Sequence, residues 1–342
     1  MPMTVRCGDT LLFETPPIIA AGAAVGGKKE SEGPLASEFD ELSVDNRFGQ
    51  SGWEAAEKYL QLRAARLCLK KAGLAQEKVQ LALAGDLQAQ CTASSYAMRE
   101  LGVPFAGLFG ACSTMAEALG MGAALCSSGA ARNLLAMASS HFCAAERQFR
   151  TPLSYGAVRT PTAQWTATAA GCCLLQPAGE GVGIAAATFG RVQDYQVKDI
   201  NNMGAAMAPA AASTLLHYFA DTNTEPQDFD CIYTGDLGQV GSQLLRELLA
   251  ADGFLFKNHV DCGCILFDAN EQSVKSGGSG PGCCAAVLCG HILPRLRRAS
   301  QKRVLFVATG ALMSQTTFLQ KESIPAVAHL VELRAAQKGE AQ

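Results

Sequence analysis

Apolar and polar positions follow the same order twice along this chain. LALAGDL at 81–87 and CIYTGDL at 231–237 are both β-rich apolar runs that end in Gly-Asp-Leu, and they lie 150 residues apart. A segment with helical periodicity precedes each run and another follows it. The repeat predicts two related halves in which strands alternate with helices, a pattern typical of α/β folds with mostly parallel sheets.

A second matching pair extends the duplication. Residues 110–140 align with 280–310 at an offset of 170, which places Cys112 opposite Gly282. Because the first pair has an offset of 150, the second copy carries 170 − 150 = 20 extra residues. They fall around 260–277, where two apolar runs joined by Asp-Ala-Asn predict an inserted hairpin.

Two segments predict helices that are buried on all sides. The segments 113–128 and 283–293 are apolar on nearly every face, and a helix of this kind lies inside a protein. We expect both to lie between two sheets, where Ala, Gly and Cys allow close approach. The chain divides into an N-terminal half, 1–178, and a C-terminal half, 179–342, related by a pseudo-twofold axis.

Composition excludes several classes of protein. The chain has 342 residues and a net charge of −3, without a long basic run, which excludes nucleic acid as a partner. Its 14 cysteines include no C-x-x-C pair, so we expect small buried thiols in a reducing compartment and no metal site. We expect no signal peptide and no membrane span, because Gly, Pro and polar residues interrupt the charge-poor stretches. We therefore expect synthesis in the cytoplasm and contact with a membrane only from its surface.

Cys112 lies in FGACST, between a strand-like run and an apolar helix. At a helix N-terminus, the helix dipole and the free N–H groups stabilise a thiolate. The N–H groups around Cys112 and Ser113 can also hold a ligand carboxylate or an oxyanion. The alternative is that Cys112 is one more small buried residue.

Eight motifs in order along the chain carry a resemblance to known proteins. They are AGDL, FGACST, SSH…AERQFR, MGAAMAPAAA, TGDL…VGS, GGSG, ATGAL and QKESIP. A duplicated core with a Cys at the start of a buried helix resembles the thiolase-like superfamily. The full set, which extends from 33 to about 330, resembles the stage V sporulation protein AD family of spore-forming bacteria.

The resemblance implies a five-layer α/β/α/β/α fold, a function and a location. Members of the family are non-condensing proteins that bind dipicolinic acid (pyridine-2,6-dicarboxylic acid). They act with membrane proteins of the same sporulation system to move this acid, as its calcium chelate, into the developing spore. The resemblance therefore implies a peripheral protein of the forespore inner membrane, without a cofactor, whose only calcium arrives with the ligand.

The residues that a condensing enzyme needs are missing where they should occur. Such enzymes pair the Cys with His and Asn, or with two His, on loops of the second half. The loop at 235–238 is Gly-Asp-Leu-Gly and the loop at 277–282 is GGSGPG. Among the five histidines, His141 and His259 lie near the ends of elements, and His259 is the better candidate to replace the base. Simple exposure of His259 on a loop is an equal alternative.

Candidate ligand residues follow from the repeat. Asp86 and Asp236 end equivalent strands, so pseudo-symmetry predicts that both face the site; capping of the next helix is an equal alternative. A protonated Asp, or calcium on the ligand, would let either residue meet a dianion. The backbone of Gly278, Ser279 and Gly280 is expected to form the pocket floor, because close approach requires glycine.

A cation and a partner chain complete the predicted site. Arg150 is the preferred guanidinium for a ligand carboxylate, although AERQFR at 145–150 also suits a structural or dimer-contact loop. The fold implies a homodimer joined through an edge strand, predicted at 132–140. Two other functions stay open: an acyltransferase or synthase acylated on Cys112, and a scaffold with a vestigial pocket.

Overall fold

The computed structural model describes residues 4–149 and 159–335. Within these ranges the strands are β1 (Thr4–Cys7), β2 (Thr10–Phe13), β3 (Ile18–Gly26), β4 (Glu41–Leu42), β5 (Leu81–Gly85), β6 (Phe105–Gly107), β7 (Leu134–Ser140), β8 (Trp165–Thr166), β9 (Ala169–Gln176), β10 (Val182–Phe189), β11 (Cys231–Thr234), β12 (His259–Asp261), β13 (Gly278–Ser279), β14 (Arg303–Ala311) and β15 (Ala326–Arg334). The α-helices are α1 (Lys28–Ser31), α2 (Trp53–Ala72), α3 (Thr92–Leu101), α4 (Thr114–Ser127), α5 (Phe142–Phe149), α6 (Met203–Thr222), α7 (Gly238–Ala251), α8 (Cys262–Leu266), α9 (Pro281–Val287), α10 (Leu293–Arg297) and α11 (Gln315–Leu319).

The strand order occurs twice, once in each half. The N-terminal set runs β3-β9-β7-β5-β6 and the C-terminal set runs β10-β15-β14-β11-β12. Numbered by their position along each half, both sets have the order 1-5-4-2-3. The two sets join where β10 pairs with β3 through Val182–Ile19 and Gly183–Ile18. This duplicated arrangement confirms the predicted fold class.

Each set of strands is mixed rather than mostly parallel. β5 pairs parallel with β6 and β7, whereas β9 pairs antiparallel with β7 and β3. In the C-terminal set, β11 pairs parallel with β12 and β14, and β15 pairs antiparallel with β14 and β10. The fifth strand of each half lies beside the fourth and runs antiparallel to it, so this connection does not require a crossover helix. The prediction of mostly parallel sheets is corrected accordingly.

Two helices form the middle layer, as the apolar segments predict. α4 packs against strands of both sets, and Met115 and Leu119 on it are fully buried. α9 continues through a π-turn at Leu288–Ile292 into α10, and it packs against β9 and β7. A Cβ at Gly171 on β9 would lie 2.3 Å from the carbonyl oxygen of Ala285, so this close approach requires glycine.

Outer helices complete the five layers. α2 and α3 cover the outer face of the N-terminal strands, and α6 and α7 cover that of the C-terminal strands. The central apolar cluster lies between the two sets of strands. Within the described ranges, no helix combines the length and the hydropathy needed to cross a membrane.

The predicted hairpin at 260–277 does not form. The segment contains the short strand β12, which extends the C-terminal set parallel to β11, followed by the helix α8. Asp261 explains the helix, because its carboxylate accepts hydrogen bonds from the backbone N–H groups of Cys264, Leu237 and Gly238. An acceptor at this position caps a helix N-terminus, so the apolar run after it turns helical.

The strand predicted to join two subunits is also misplaced. The stretch 132–140 contains β7, which lies between β5 and β9 inside the sheet. Its backbone groups are therefore engaged on both sides. The edge of the N-terminal set is β6, directly before the turn that carries Cys112.

Candidate functional site

A pocket of about 110 Å³ lies at the start of α4. Its walls come from both halves of the chain. The lining residues are Leu87, Ala111, Cys112, Ala145, Glu146, Phe149, Gln164, Thr166, Ile200, Asn201, Met203, Met207, Ser279, Ala311 and Met313.

A sharp turn positions Cys112 at the pocket. Ala111 has a φ of +49°, a left-handed conformation that a residue with a Cβ adopts at a cost. The turn Ala111–Ser113 then leads into α4. The Ser113 amide and hydroxyl both donate to the carbonyl oxygen of Gly110, the hydroxyl at 2.7 Å. Ser113 is fully buried and its donors are engaged, so the prediction that its N–H holds a ligand is not supported by the geometry.

Asp236 is a fully buried carboxylate whose charge acts on the nearby Cys112 thiol. Its oxygens accept hydrogen bonds from the Ser279 hydroxyl at 3.1 Å, the Gly280 amide at 2.9 Å and the Thr309 hydroxyl at 3.0 Å. Asp236 therefore joins the segment before α9 to β14 beside the pocket.

The environment of Cys112 opposes ionisation. Burial raises the pKa of the thiol well above its usual value of 9.0, and the negative charge of Asp236 raises it further. The expectation that the helix N-terminus makes Cys112 a ready thiolate is therefore corrected. Desolvation and a neighbouring carboxylate outweigh the helix dipole here.

Of the three residues predicted to form the pocket floor, Gly278, Ser279 and Gly280, only Ser279 lines the pocket. Gly278 and Ser279 form β13, which pairs with β8, and Ser279 lines the pocket. Gly280 has a φ of +95°, and a Cβ there would lie 2.6 Å from the Ser140 hydroxyl oxygen. The Gln164 side-chain amide donates to the carbonyl oxygens of Asp236 at 2.6 Å and Gly278 at 2.9 Å, which holds this segment in place.

Asp86 does not face the pocket. Its carboxylate accepts from the amide of Gln88 and from the amide and hydroxyl of Ser94, near the start of α3. Glu57 on α2 lies next to it and accepts from the Gln88 and Ser139 side chains. The capping alternative is therefore the one that the geometry favours for Asp86, because its oxygens are bound by Gln88 and Ser94 and the residue does not line the pocket.

His259 does not line the pocket either. Its Nε2 contacts the Thr234 hydroxyl at 2.8 Å, and its ring stacks on Phe256 at 4.9 Å. Burial lowers its pKa to about 3, so the ring is neutral at physiological pH. His259 is therefore not placed to act as the missing base.

The other four histidines are also engaged elsewhere. His141 contacts the Asn46 carbonyl oxygen, and His291 contacts the Glu38 carboxylate. His217 contacts the Ser213 carbonyl oxygen, and His329 accepts from the Gly190 amide. None of the five histidines of the sequence lines the pocket.

Charged groups near the pocket are paired. Glu146, which lines it, forms an ion pair with Arg159 at 3.5 Å. Arg147 pairs with Glu54 on α2. Arg150, the predicted carboxylate-binding cation, lies outside the described residues. Within the described ranges, no group of three or more His, Cys, Asp or Glu residues is arranged to hold a metal ion.

Several pocket residues have no counterpart among the sequence-based predictions. Thr166 and Asn201 contribute polar groups, and Met203, Met207 and Met313 contribute apolar walls. Met203 and Met207 belong to the MGAAMAPAAA motif, which indicated the family but not a pocket, and the others come from loops that no pattern marks. Leu87 was the pocket residue that the sequence marked most clearly, because it is the last residue of the repeated Gly-Asp-Leu motif that follows β5.

The strand order, the layers and the cysteine turn define a protein with a thiolase-like fold. The structure of 3-oxoacyl-[acyl-carrier-protein] synthase III from Aquifex aeolicus VF5 matches with a TM-score of 0.57 and 12% identity, over 93% of this chain and 99% of that one. Cerulenin-bound OleA from Xanthomonas campestris matches with a TM-score of 0.60 and 14% identity, over 96% and 99% of the two chains. At these identities the likeness shows the fold.

Sequence similarity identifies the family within this class. The family model of stage V sporulation protein AD (SpoVAD) matches residues 7–334. Stage V sporulation protein AD of Bacillus subtilis (strain 168) is 41% identical over 329 residues, which are 96% of this chain and 97% of that protein. The chain belongs to the stage V sporulation protein AD family and is a sporulation protein with a thiolase-like fold.

Proposed function

We propose that this sporulation protein binds dipicolinic acid in the pocket beside Cys112 and takes part in its uptake, as the calcium chelate, into the developing spore. The observation that carries the proposal is a cysteine turn without catalytic partners. Cys112 lies at the pocket, no histidine lines it, and burial together with the charge of Asp236 raises the pKa of its thiol. A condensing reaction needs a base and an oxyanion partner that this arrangement does not supply.

The pocket has groups that suit a flat dicarboxylate. The methionine walls at 203, 207 and 313 offer polarizable surfaces for an aromatic ring. The Thr166 hydroxyl and the Asn201 side-chain amide are donors for a carboxylate. Calcium prefers oxygen ligands, and the Glu146 carboxylate in the pocket wall is one. A calcium ion that enters bound to dipicolinate can therefore contact Glu146, and the protein needs no separate calcium site.

Calorimetric titration tests the binding. Dipicolinic acid is titrated with and without calcium into the wild type, Thr166→Val and Asn201→Ala. Each substitution removes a donor and is expected to weaken binding about tenfold, the effect of one charge-assisted hydrogen bond. Ser128→Ala, an exposed substitution at the far end of α4, is the control and should bind like the wild type. If titration of the wild type gives no heat of binding either with or without calcium, dipicolinate is not the ligand.

A second candidate function is acyl transfer through Cys112. The observation that favours it is the cysteine turn itself, placed at a pocket in a fold shared with condensing enzymes. Incubation with acyl-CoA followed by mass spectrometry tests it. A stable adduct on Cys112 that is missing from Cys112→Ala supports an acyltransferase. An unmodified Cys112 after long incubation rejects it.

We also propose that the protein acts at the surface of the forespore inner membrane, with membrane proteins of the same uptake system. Support comes from four exposed large apolar side chains on two adjacent segments: Val192, Tyr195, Phe318 and Leu319. The segments are joined by hydrogen bonds, including one from the Ser323 hydroxyl to Asp194 at 2.6 Å.

Measuring dipicolinate accumulation in sporulating cells distinguishes the role of the exposed apolar surface from the role of the pocket. Tyr195→Ser combined with Leu319→Ser should abolish dipicolinate accumulation while titration of the purified variant stays normal. Asn201→Ala should reduce both. If the pocket variant loses binding but accumulation is unchanged, the protein is a scaffold and the pocket is vestigial.

We further propose a homodimer joined through β6. This edge strand has unpaired backbone groups on one side, and such edges pair readily with another chain. Phe109, two residues beyond it, is 69% exposed. Light scattering should give a dimer for the wild type and a monomer for Phe109→Glu. A monomeric wild type would reject the proposal.

A further inference from the structure

The Gln164 side chain carries a buried acceptor that has no donor. Its amide nitrogen donates to the carbonyl oxygens of Asp236 at 2.6 Å and Gly278 at 2.9 Å, and a flipped amide would set an oxygen against these two acceptors. The nitrogen is therefore fixed, and with it the position of Oε1. Gln164 is 7% exposed and lines the pocket, yet no donor within residues 4–149 and 159–335 reaches Oε1. Buried polar atoms are nearly always hydrogen-bonded, so this oxygen requires a donor from a ligand or from water.

The charges around the pocket disfavour a ligand with two negative charges. Asp236 is fully buried, and its carboxylate accepts from three donors, which favours the ionised form. Glu146 in the pocket wall is paired with Arg159, so this pair adds no net positive charge. Among the described lining residues there is no Lys or Arg. A dicarboxylate with both groups ionised would therefore bring two charges into a site that compensates neither of them well.

We propose that Gln164 is a specificity residue that accepts a hydrogen bond from one carboxyl group of the ligand, so that dipicolinic acid binds as a singly protonated monoanion. The proton removes one negative charge and supplies the donor that Oε1 lacks. The Thr166 hydroxyl and the Asn201 side-chain amide remain as donors for the ionised carboxylate. This role of Gln164 rests on the proposed function, because it concerns the ligand of the same pocket.

Binding of the free acid is then coupled to the uptake of a proton. Carboxyl groups in water have a pKa of about 4, so the free ligand is a dianion at neutral pH. On binding, one ligand carboxylate gains an O–H bond and the acid form of the buffer loses that proton. Because the complex holds one proton more than its separate components, the affinity should rise about tenfold for each pH unit of acidification between pH 8 and 6.

Titratable groups of the protein around Gln164 are bonded to other partners. Asp261 accepts from four donors, Glu30 accepts from two backbone amides, and Lys29 donates to a backbone carbonyl oxygen. These three residues do not line the pocket. Burial raises the pKa of Glu30 to about 7, so its titration falls within the tested range and needs a control. Burial also raises the pKa of the two nearest thiols, Cys112 and Cys283.

Calorimetric titration in Pipes and in Tris, two buffers with different enthalpies of ionisation, measures the protons taken up on binding. Dipicolinic acid is compared with its monoamide, 6-carbamoylpyridine-2-carboxylic acid, which has a single carboxylate and a permanent N–H donor. At pH 7 without calcium we expect the diacid to take up about one proton and the monoamide none. The monoamide is the matched control, because a proton taken up by Glu30 or Asp236 would appear with both ligands. Equal uptake with both ligands would overturn the proposal.

The dependence on pH and calcium separates this proposal from the proposed function. Between pH 6 and 8 the affinity of the diacid should fall about tenfold per unit, while that of the monoamide stays constant. With calcium, the ion neutralises the ligand, and proton uptake by the diacid should fall toward zero. Binding of the diacid without proton uptake at pH 7 rejects the role of Gln164 alone. If the diacid binds under none of these conditions, the proposed function is rejected and the role of Gln164 with it.

Gln164→Met removes the amide and keeps the length of the side chain. We expect it to bind the monoamide about tenfold more weakly than the wild type does, the effect of one lost hydrogen bond. Gln76→Met, at an exposed position before β5, is the control and should bind like the wild type. An unchanged affinity of Gln164→Met for the monoamide would contradict the proposed contact. If Gln164→Met does not fold, the comparison of the two ligands on the wild type decides.

Discussion

Asp86 and Asp236 follow equivalent strands of the two halves, yet only Asp236 is bonded to the pocket wall, where it accepts from the Ser279 hydroxyl at 3.1 Å. Asp86 is held by Gln88 and Ser94 near the start of α3. The duplication therefore preserves the position of the aspartate in the chain and changes its role. The asymmetry has a simple cause, because the cysteine turn occurs once and its counterpart in the second half is a glycine.

Asp86→Asn should reduce stability and leave ligand binding intact. An Asn cannot accept from all three donors that Asp86 satisfies, so we expect the free energy of unfolding to fall by about 1–3 kcal/mol. Urea unfolding measures this loss, and calorimetric titration should give a dipicolinate affinity within about twofold of the wild type. A large loss of affinity with unchanged stability would place Asp86 in the binding site instead.

Glu57 should make the protein less stable as the pH rises. Burial, followed by the charge of Asp86, raises its pKa from 4.5 to about 8. Between these values the native state holds a proton that the unfolded state has lost. The free energy of unfolding therefore falls by about 1.4 kcal/mol per pH unit from this group. Below pH 4.5 both states are protonated and its contribution to stability is fully present.

The test compares Glu57→Gln with Glu77→Gln, which removes a carboxylate from an exposed position. Urea unfolding between pH 5 and 8 should show a shallower fall in stability for Glu57→Gln than for the wild type. Glu77→Gln should follow the wild type. Equal slopes for all three proteins would mean that Glu57 is ionised in the native state.

Ala111→Gly should stabilise the turn before Cys112. Its φ of +49° costs an L-residue about 1 kcal/mol, and glycine adopts it without that cost. After the entropy that glycine loses on folding, we expect a gain of about 0.5 kcal/mol in urea unfolding. Ala123→Gly, in the buried middle of α4, should instead lose about 1 kcal/mol or more. A loss of the same size at 111 would contradict the left-handed turn.

Gly282 cannot be replaced, although its counterpart in the repeat is Cys112. A Cβ at 282 would lie 2.2 Å from the carbonyl oxygen of Ala169 and 2.7 Å from the amide nitrogen of Ser140. Both are backbone atoms, so Gly282→Ala should cost about 3 kcal/mol or more in urea unfolding. Gly52→Ala is the control, because its Cβ would meet only Glu54 Oε2 at 3.8 Å. Similar stabilities for the two variants would exclude the close packing of α9.

The pattern of apolar residues along the sequence was sufficient to predict the overall architecture. Apolar residues on all faces of 113–128 predicted the buried helix α4, and the repeated Gly-Asp-Leu runs located β5 and β11. These predictions rest on local burial, which a single sequence expresses directly. The prediction of a hairpin at 260–277 was wrong, because a helix and a strand as short as 262–267 have the same apolar pattern. The cap at Asp261 selects the helix.

Site chemistry was predictable only in part. The residue types at Cys112, Asp236 and Ser279 singled out loops that do meet at one place. The partners of the other candidates were not predictable, because the Asp86 carboxylate is bound by Gln88 and Ser94 in its own turn and the His259 ring contacts Thr234 on the neighbouring strand. The predicted ionisation of Cys112 was wrong, because burial and Asp236 act through space.

The sequence alone was enough to establish the duplicated α/β fold, the family and the turn that carries Cys112. These properties follow from the order of residue types along the chain. Packing of the two halves sets the rest: which aspartate is bonded to the pocket wall, which strand forms the edge, and which residues line the pocket. Each depends on distances between segments up to 170 residues apart, and such distances arise only when the halves pack together.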